Sequence, residues 1–322
     1  MVISAFASMR VLWTVAVCFC LGALFCNCAS RGAAIGSESI MFSSLGNAPF
    51  LDYIYTVRSD GSKVQPLLSP KVGRSYKYAS GNSLQSDLAV TVHEKSSAGP
   101  IENHLYIYSP TSGQWQPLVT NGSVGEALMS PDNSRIAFVL GSDKDLGSFW
   151  VMDLKSHEQK KLTTDDQDNA AWSAYGSWHP DSQEIAFLRL RRTDTGVETI
   201  LMSSRLTSGE TTILLGAEAG VTAVCYSPDG TRLAAFTNRG LEIVRLPGLE
   251  RVVIVPQSSF GEARAFPGSL IWSRTQDLIA FSLRDDKLSE AQLWTVSDNG
   301  SNLRQIYKEN DARITATSFV AR

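Results

Sequence analysis

Short apolar runs recur along the chain at almost equal intervals. Six of them begin 46 to 49 residues apart, at residues 40–42, 88–90, 136–138, 185–187, 233–236 and 279–281. Each run lacks the alternation of apolar and polar residues that a strand with one solvated face would show. We therefore predict six β-strands that are covered on both faces.

The residues around each run repeat as well. A tight turn precedes the run, as in the Ser-Pro-Asp-Gly of residues 227–230, where Pro fixes φ, Asp accepts local N–H groups and Gly permits a left-handed exit. An alternating segment such as residues 105–108 follows the run. After a turn that contains Gly or Asn comes a last apolar segment such as residues 116–119. Each repeat is therefore expected to contain four short strands and no long helix.

Six such repeats of about 48 residues predict an all-β fold. We expect a six-bladed β-propeller over residues 35–322, with four strands per blade. Blades pack face to face in such a ring, and this packing explains why the second strand of each repeat is apolar on both sides. An open β-sandwich is the alternative, but it does not require a strict repeat length.

The two ends of the chain are expected to meet in the first blade. The first repeat has no opening strand of its own before residue 40. Near the C-terminus, residues 315–319 align with residues 222–226, so that Phe319 takes the place of Tyr226. We therefore predict that the C-terminal segment is the innermost strand of the first blade and removes an open sheet edge. A frayed C-terminal tail is the alternative.

The first 30 residues differ in character from the repeats. Arg10 precedes an apolar stretch at residues 11–26 and small polar residues at 27–32, which is the pattern of a secretory signal. A membrane-spanning helix is the alternative, and the start site, Met1 or Met9, is left open. We expect residues 1–30 to be a signal peptide and the protein to be exported, to the periplasm or the cell envelope.

Two cysteines near the end of this segment are candidates for lipidation. A bacterial lipoprotein signal ends in Leu, two small residues and the Cys that is acylated. Cys26 and Cys28 lie in this region, although Phe25 and Asn27 stand where Gly or Ala is usual. Lipidation at Cys26 or Cys28 and simple signal cleavage are therefore alternatives. Such a lipid would be the protein's expected contact with a membrane.

Composition narrows the classes of partner. The 322 residues carry 29 Lys and Arg against 32 Asp and Glu, and the net charge of −3 argues against a nucleic-acid-binding surface, which needs an excess of basic groups. Beyond the leader only Cys225 remains, so we expect no disulfide within the propeller. Burial alone must then stabilise the ring, which we expect to be monomeric and to need no cofactor.

The repeats resemble those of TolB-type propellers. The shared features are the Ser-Pro-Asp-Gly turn, the Ile-Ala-Phe strand after it and the downstream Leu-Trp pair. The best local matches are residues 129–138, 178–187, 226–236 and 293–300. The resemblance covers about residues 35–322 and is weakest in the second unit, where residues 82–85 replace Ser-Pro-Asp-Gly, and in the sixth, at residues 273–276.

Membership of the TolB family would imply a six-bladed ring that is often exported and binds proteins or peptides around the mouth of its channel. TolB itself has a further domain before its propeller. This chain is not expected to contain one, so a place in the Tol system does not follow from the resemblance.

The loops of the predicted propeller differ in length between its two faces. The connections between second and third strands emerge on the same face of a propeller as the connections between blades. We call this face the long-loop face. The expected long loops are residues 94–103, 141–148, 189–197 and 284–290 within blades, and residues 69–74, 163–169 and 256–268 between blades. We expect this face to bind a protein or peptide, because binding residues concentrate on loops. Tolerated insertions are the alternative.

Nine residues of the long-loop face are candidates for partner binding. They comprise a proline-bounded aromatic and basic group that is expected to form an exposed anchor, an acidic group, and basic residues with a neighbouring tyrosine. The acidic group lacks the ligand spacing of a calcium loop, and ordinary solvated charge is the alternative for it and for the basic residues. The nine are Phe260, Arg264, Phe266, Asp165, Asp166, Asp168, Arg74, Tyr76 and Arg191.

Candidates for catalysis are few. The chain contains no Gly-x-Ser-x-Gly motif of a nucleophile elbow. It has four histidines, of which His93 and His104 flank one predicted loop, and two imidazoles without a third ligand indicate a metal site only weakly. We therefore predict no catalytic residues and no metal site. A carbohydrate- or metal-dependent hydrolase or lyase that uses the channel mouth is the alternative function.

Overall fold

The computed structural model describes residues 38–46, 51–95, 101–141, 147–163 and 171–321. Within these ranges the chain forms 24 β-strands and two short 3-10 helices, Ala217–Ala219 and Gln257–Phe260. The strands are grouped into six antiparallel sheets of four strands each. This architecture confirms the prediction of an all-β, six-bladed propeller.

Blade 1 takes its strands from both ends of the chain, whereas blades 2 and 3 are each formed by four consecutive strands. Blade 1 contains β24 (Ala312–Ala321), β1 (Glu38–Gly46), β2 (Asp52–Arg58) and β3 (Gln65–Leu68). Blade 2 contains β4 (Arg74–Ser80), β5 (Leu88–Lys95), β6 (Ile101–Ser109) and β7 (Gln114–Val119). Blade 3 contains β8 (Ser123–Met129), β9 (Arg135–Gly141), β10 (Ser148–Asp153) and β11 (Gln159–Lys161).

The last three blades follow in chain order. Blade 4 contains β12 (Ala171–Trp178), β13 (Glu184–Thr193), β14 (Gly196–Arg205) and β15 (Thr211–Leu215). Blade 5 contains β16 (Ala223–Tyr226), β17 (Arg232–Thr237), β18 (Gly240–Arg245) and β19 (Glu250–Pro256). Blade 6 contains β20 (Arg264–Trp272), β21 (Leu278–Asp285), β22 (Glu290–Ser297) and β23 (Arg304–Asn310). The first strand named in each blade lies at the channel.

The C-terminal strand closes the ring as predicted. β24 pairs antiparallel with β1 over nearly its whole length, and β1 continues the sheet to β2. Ile314 and Phe319 of β24 are buried beside Ile40 and Phe42 of β1, in the cluster between blades 6 and 1. The frayed-tail alternative is therefore wrong.

The apolar runs form the core between the blades. Their phenylalanines Phe42, Phe138, Phe187, Phe236 and Phe281 are at most 1% exposed. Each blade contributes the two faces of its second strand to two neighbouring clusters, so that Phe236 lies in one cluster and Ala235 in the next. Burying a side chain of this size contributes about 1.5–3 kcal/mol. The prediction of strands covered on both faces is confirmed.

The Ser-Pro-Asp turns are held by their own side chains. The Ser227 hydroxyl donates to Asp229 Oδ1 at 2.6 Å, and that oxygen accepts from the Thr231 N–H at 3.0 Å. Ser227 Oγ also accepts from the N–H of Arg232, the first residue of β17, at 2.9 Å. Gly230 takes a positive φ of 72° at the exit of the turn. The motif therefore fixes the direction in which the second strand starts.

Two expected long loops are shorter in the structure. Residues 189–197 belong to the β13–β14 hairpin, which turns at Asp194 and Thr195. β20 begins at Arg264, so that Arg264 and Phe266 lie in a strand and not in a loop. Residues 189–193 and 196–197 stay paired across the β13–β14 hairpin, whereas in β20 Arg264 and Ala265 pair with β21 before the register shifts.

The N-terminal predictions fall outside the described residues. The expected signal over residues 1–30, with Cys26 and Cys28, is not among the residues that the structure describes. The same holds for the predicted acidic residues Asp165, Asp166 and Asp168, which lie between blades 3 and 4 in the sequence. Within the described residues, no helix has the length and apolar character needed to cross a membrane.

Candidate binding sites in the channel and on the long-loop face

A cavity of about 290 Å³ lies where the innermost strands converge. All six innermost strands contribute to its wall through their C-terminal halves. Pro131, Pro180 and Pro228, which belong to the turns between first and second strands, also line it. Because these turns emerge opposite the long-loop face, the cavity reaches the other face of the ring, which we call the short-turn face.

Bulges in the innermost strands shape the channel wall. The pairing register shifts between Val124 and Ala127 in β8 and between Ala174 and Ser177 in β12. Similar shifts occur in β4, β20 and β24. A bulge re-aims the side chains of its extra residues. In β8 one of these residues is Glu126, which lines the cavity.

Glu126 is held by donors from the two neighbouring blades. One carboxylate oxygen accepts from the Tyr78 hydroxyl of blade 2 at 3.1 Å, and the other accepts from the Gly176 N–H of blade 4 at 3.0 Å. The Tyr175 N–H also stabilises the carboxylate. Burial raises the pKa of Glu126 to about 7, although these hydrogen bonds favour the ionised form. The channel therefore contains a carboxylate that is half-titrated near neutral pH.

Arg274 is the cation among the residues that line the cavity. It belongs to the turn after β20, where the neighbouring Ser273 hydroxyl bonds to the Glu38 carboxylate. Burial lowers the pKa of the Arg274 guanidinium, and the attraction of Glu38 partly offsets this effect. The electrostatic partner of Arg274 is thus Glu38 of blade 1. The ion pairs of the described residues do not include one between Arg274 and Glu126.

Most polar groups of the channel wall connect adjacent blades. The Met129 N–H donates to Ser80 Oγ at 2.7 Å, and the Tyr226 N–H donates to Ser177 Oγ at 3.0 Å. The Trp178 indole N–H donates to the Leu128 carbonyl at 2.9 Å. These hydroxyls are therefore occupied in holding the ring and are not paired with a general base.

The histidines are partnered separately. Nδ1 of His93 lies 3.4 Å from Asp52 Oδ2, whereas His104 lies between Glu94 and Glu102, at 3.2 and 2.9 Å. No group of three or more His, Cys, Asp or Glu side chains among the described residues is placed to hold a metal ion.

The predicted pair of Arg74 and Tyr76 is part of the blade structure. Tyr76 is 2% exposed, in the cluster between blades 1 and 2, so its expected availability to a partner is wrong. The Arg74 guanidinium lies 4.4 Å from the centre of the Trp115 ring and 3.2 Å from Glu94 Oε1. These aromatic and acidic partners of Arg74 come from strands β7 and β5, which its own sequence neighbourhood does not reveal.

The predicted aromatic anchor is also different in the structure. Phe260 is 8% exposed, and its ring lies 5.8 Å from that of Phe236 and 5.7 Å from that of Phe281. The 3-10 helix Gln257–Phe260 turns this side chain inward onto the cluster between blades 5 and 6. The expectation that Phe260 is exposed is therefore wrong. Arg264 is exposed, and Phe266 is half-buried.

Arg191 lies exposed on the β13–β14 hairpin, opposite Glu198. The hairpin belongs to the long-loop face, so the structure leaves this candidate on the surface where the sequence predicted it. Whether Arg191 contacts a partner stays a prediction.

Exposed apolar side chains on the long-loop face were not predicted. Seven large apolar residues are exposed in the described part of the chain, and four of them lie in or beside loops of this face. The four are Leu51, Val72, Val197 and Leu288. The sequence feature that could have indicated such an exposed residue is a single apolar residue between polar or turn residues, as in Lys71-Val72-Gly73.

Solved structures with the same fold confirm the expected similarity to TolB propellers. TolB from Acinetobacter baumannii superposes with a TM-score of 0.65 at 15% identity, over 89% of this chain and 67% of that one. A chain of a nidogen/laminin complex gives 0.61 at 10% identity, over 88% and 97%. An oligogalacturonate lyase in complex with manganese gives 0.54 at 13% identity, over 85% and 74%. At these identities the similarity establishes the fold alone.

No protein-family model and no curated protein sequence matches the chain.

Proposed function

We propose that this six-bladed propeller, whose fold is shared with TolB, is an exported, monomeric scaffold that binds a protein or peptide on its long-loop face. The observation that carries the proposal is the position of its exposed apolar side chains. Val72 is fully exposed, and Leu288 and Val197 are 67% and 54% exposed, all on that face. Exposed apolar residues mark a site of association where they form a contiguous patch, and we propose that these residues belong to one partner surface.

The charges around these residues suit a protein partner. Lys287, next to Leu288, lies 3.3 Å from Glu262, and Arg191 lies across the hairpin from Glu198, one residue after Val197. Apolar side chains within a rim of both charge signs are typical of interfaces between proteins. A nucleic acid would instead require an excess of basic groups.

The similar structures support this proposal only through the fold. The nidogen/laminin complex shows that a chain of this architecture takes part in a complex of two proteins. The lyase shows that the architecture can also carry an enzyme. In the described residues, however, the channel hydroxyls serve the contacts between blades, and no observation favours a reaction. We therefore propose a binding protein and no enzyme.

Two pairs of valines allow a matched test of the binding face. Val72→Asp with Val197→Asp alters the long-loop face, whereas Val64→Asp with Val252→Asp alters exposed valines elsewhere. Each double variant and the native protein would be used to capture partners from an extract of the producing cells, followed by binding measurements with the purified partner. We expect the first pair to reduce affinity at least tenfold and the second pair to leave it unchanged. Equal effects of the two pairs would contradict the proposal.

Export and lipidation need their own measurements. Mass spectrometry of the mature N-terminus would show cleavage after about residue 30 if the signal is removed, or an acyl group on Cys26 or Cys28 if the protein is lipidated. An intact N-terminus in the cytoplasmic fraction would contradict export. Light scattering of the purified protein tests the proposed monomer.

A further inference from the structure

The channel contains a partly buried carboxylate, Glu126, that forms no ion pair with any of the described residues. Glu126 accepts hydrogen bonds from Tyr78 and from the backbone of Tyr175 and Gly176, and all three donors are neutral. Among the described residues, neither Lys77 of β4 nor Arg274 at the cavity wall forms an ion pair with it. Buried carboxylates are usually paired with a cation, because an isolated charge is costly to desolvate.

The hydrogen bonds around this group favour its ionised form, although burial outweighs them and raises its pKa. Each donor stabilises the carboxylate and not the neutral acid. Burial raises the pKa of the Tyr78 hydroxyl well above its usual value, so Tyr78 remains a donor. Burial raises the pKa of Glu126 to about 7. A cation that enters the cavity would therefore meet a carboxylate that is already oriented.

Backbone distortion in adjacent blades accompanies this arrangement. The bulge of β8 places Glu126 at the channel, and the bulge of β12 presents the N–H groups that bind it. Tyr175 has a positive φ of 55°, which is uncommon for a residue other than Gly. Its ring lies against Gly268, where an added Cβ would overlap it. Strain of this kind concentrates at binding sites.

The cavity has the size and lining for a single long side chain. Its 290 Å³ corresponds to about ten water molecules at roughly 30 Å³ each, near the lower end for ligand pockets. Trp178, Tyr226, Trp272 and Phe319 contribute apolar surface to the wall. Lysine and arginine side chains combine an apolar stem with a charged end, and they suit a pocket that has aromatic walls and one carboxylate.

We infer that the channel holds a binding site, separate from the long-loop face, in which Glu126 pairs with the ammonium or guanidinium group of a basic side chain. A divalent cation suits the site less well. Calcium takes six to eight oxygen ligands, and the described residues include no group of three or more His, Cys, Asp or Glu side chains that could hold a metal ion.

Two small probes that differ in one charged group test the inference. Nα-acetyl-lysine N-methylamide carries the ammonium, and Nα-acetyl-norleucine N-methylamide carries a similar chain without it. Titration of the whole protein at pH 8.5, followed by the carboxyl NMR signal of Glu126, should show at least tenfold tighter binding of the lysine probe. Equal affinity of the two probes, or no binding of either, would overturn the inference.

The dependence on pH and on Glu126 gives further readouts. Between pH 8.5 and pH 5.5 the affinity of the lysine probe should fall about thirtyfold, because at a pKa of about 7 only roughly 3% of the carboxyl remains ionised at the lower pH. Glu126→Gln should remove the preference for lysine. Tyr78→Phe, which loses one donor, should weaken lysine binding at pH 7 more than at pH 9.

Further measurements show whether the ligand of Glu126 is a basic side chain or a calcium ion, and whether the binding site lies in the channel or on the long-loop face. In the native protein, saturation with the lysine probe should lower the pKa of Glu126, and this result does not depend on how any variant folds. Stoichiometric binding of calcium at Glu126 without binding of lysine would overturn the inference. The Val72→Asp, Val197→Asp variant should keep full affinity for the lysine probe, so the channel site and the proposed partner face succeed or fail independently.

Discussion

Ile40 lies directly opposite Phe319 in the ladder between β1 and β24. Ile40 is completely buried and Phe319 is 6% exposed, both in the apolar cluster between blades 6 and 1. The strand near the N-terminus thus obtains its inner partner from the last residues of the chain. The cluster exists only when the two ends have met, so closing the ring and forming this part of the core are one event.

A chain that ends at Asn310 should fail to form a stable ring. The loss of β24 exposes the edge of β1 and removes Ile314 and Phe319 from the core. Burial of each of these side chains contributes about 1.5–3 kcal/mol, against a total free energy of unfolding of roughly 5–15 kcal/mol. We expect an aggregated or molten product without a cooperative thermal transition in near-ultraviolet circular dichroism. An unchanged melting temperature would contradict the closure.

Point variants in β24 separate packing from chain length. Phe319→Ala should lower the free energy of unfolding by about 3–5 kcal/mol. Arg313→Ala, at an exposed position of the same strand, should change it by no more than about 0.5 kcal/mol.

The fold could be predicted because propeller packing leaves a plain mark on the sequence. Neighbouring blades cover both faces of every second strand, so Ala235 and Phe236 are both buried although they point in opposite directions. The apolar run is therefore unbroken, and it recurs at the spacing of the blades. The closure of the ring could be predicted for the same reason, because Phe319 aligns with Tyr226 at the same position of the repeat.

The channel site could not be predicted in this way. Glu126 looks like a polar residue of a half-exposed strand, and its position in the cavity depends on a bulge in β8. Its donors come from residues about 50 positions away in either direction, Tyr78 and Gly176. A single sequence records neither the bulge nor these distant partners. Phe260 was misplaced for a similar reason, because the inward turn of a short 3-10 helix has no sequence periodicity.

Asp229 should make the stability of blade 5 depend on acidic pH. The hydrogen bond from Ser227 is the largest cause that lowers the pKa of Asp229 to about 2, from an ordinary value of 3.8. A lowered pKa stabilises the folded state above pH 3.8, and this contribution is lost as the pH falls toward 2. We expect Asp229→Asn to cost about 1 kcal/mol at pH 6, after allowance for solvent screening, and less at pH 3, in urea unfolding.

Asp277 provides the matched control for this experiment. It is exposed in the corresponding turn of blade 6, and none of the described residues donates a hydrogen bond to its carboxylate. Asp277→Asn should leave the free energy of unfolding within about 0.5 kcal/mol at both pH values. A cost of the same size at Asp277 would show that the Ser227–Asp229 contact is not responsible.

Glu126 should have the opposite dependence on pH. Its pKa is about 7 in the folded protein against an ordinary value of 4.5, mainly because of burial. The folded state then binds the proton more tightly than the unfolded state, so the stabilisation is complete below pH 4.5 and is lost as the pH rises through 7.

Glu126→Gln does not titrate and keeps an acceptor oxygen for its neighbours. Relative to the native protein it should therefore gain up to about 3 kcal/mol between pH 4.5 and pH 8, measured by urea unfolding at both ends of this range. Glu158→Gln, at an exposed position between β10 and β11, should show no such gain. A constant difference between native protein and Glu126→Gln across this range would contradict the raised pKa.

Phe260 and Phe266 should affect different properties of the protein. Phe260 packs against Phe236 and Phe281, so Phe260→Ala should lower the free energy of unfolding by about 3 kcal/mol. Phe266 is half-buried, and Phe266→Ala should cost about 1 kcal/mol by the same measurement. At a temperature where both variants are folded, Phe260→Ala should bind the captured partner as tightly as the native protein does. A loss of affinity without a loss of stability would mean that Phe260 leaves the core to contact the partner, as an exposed anchor would.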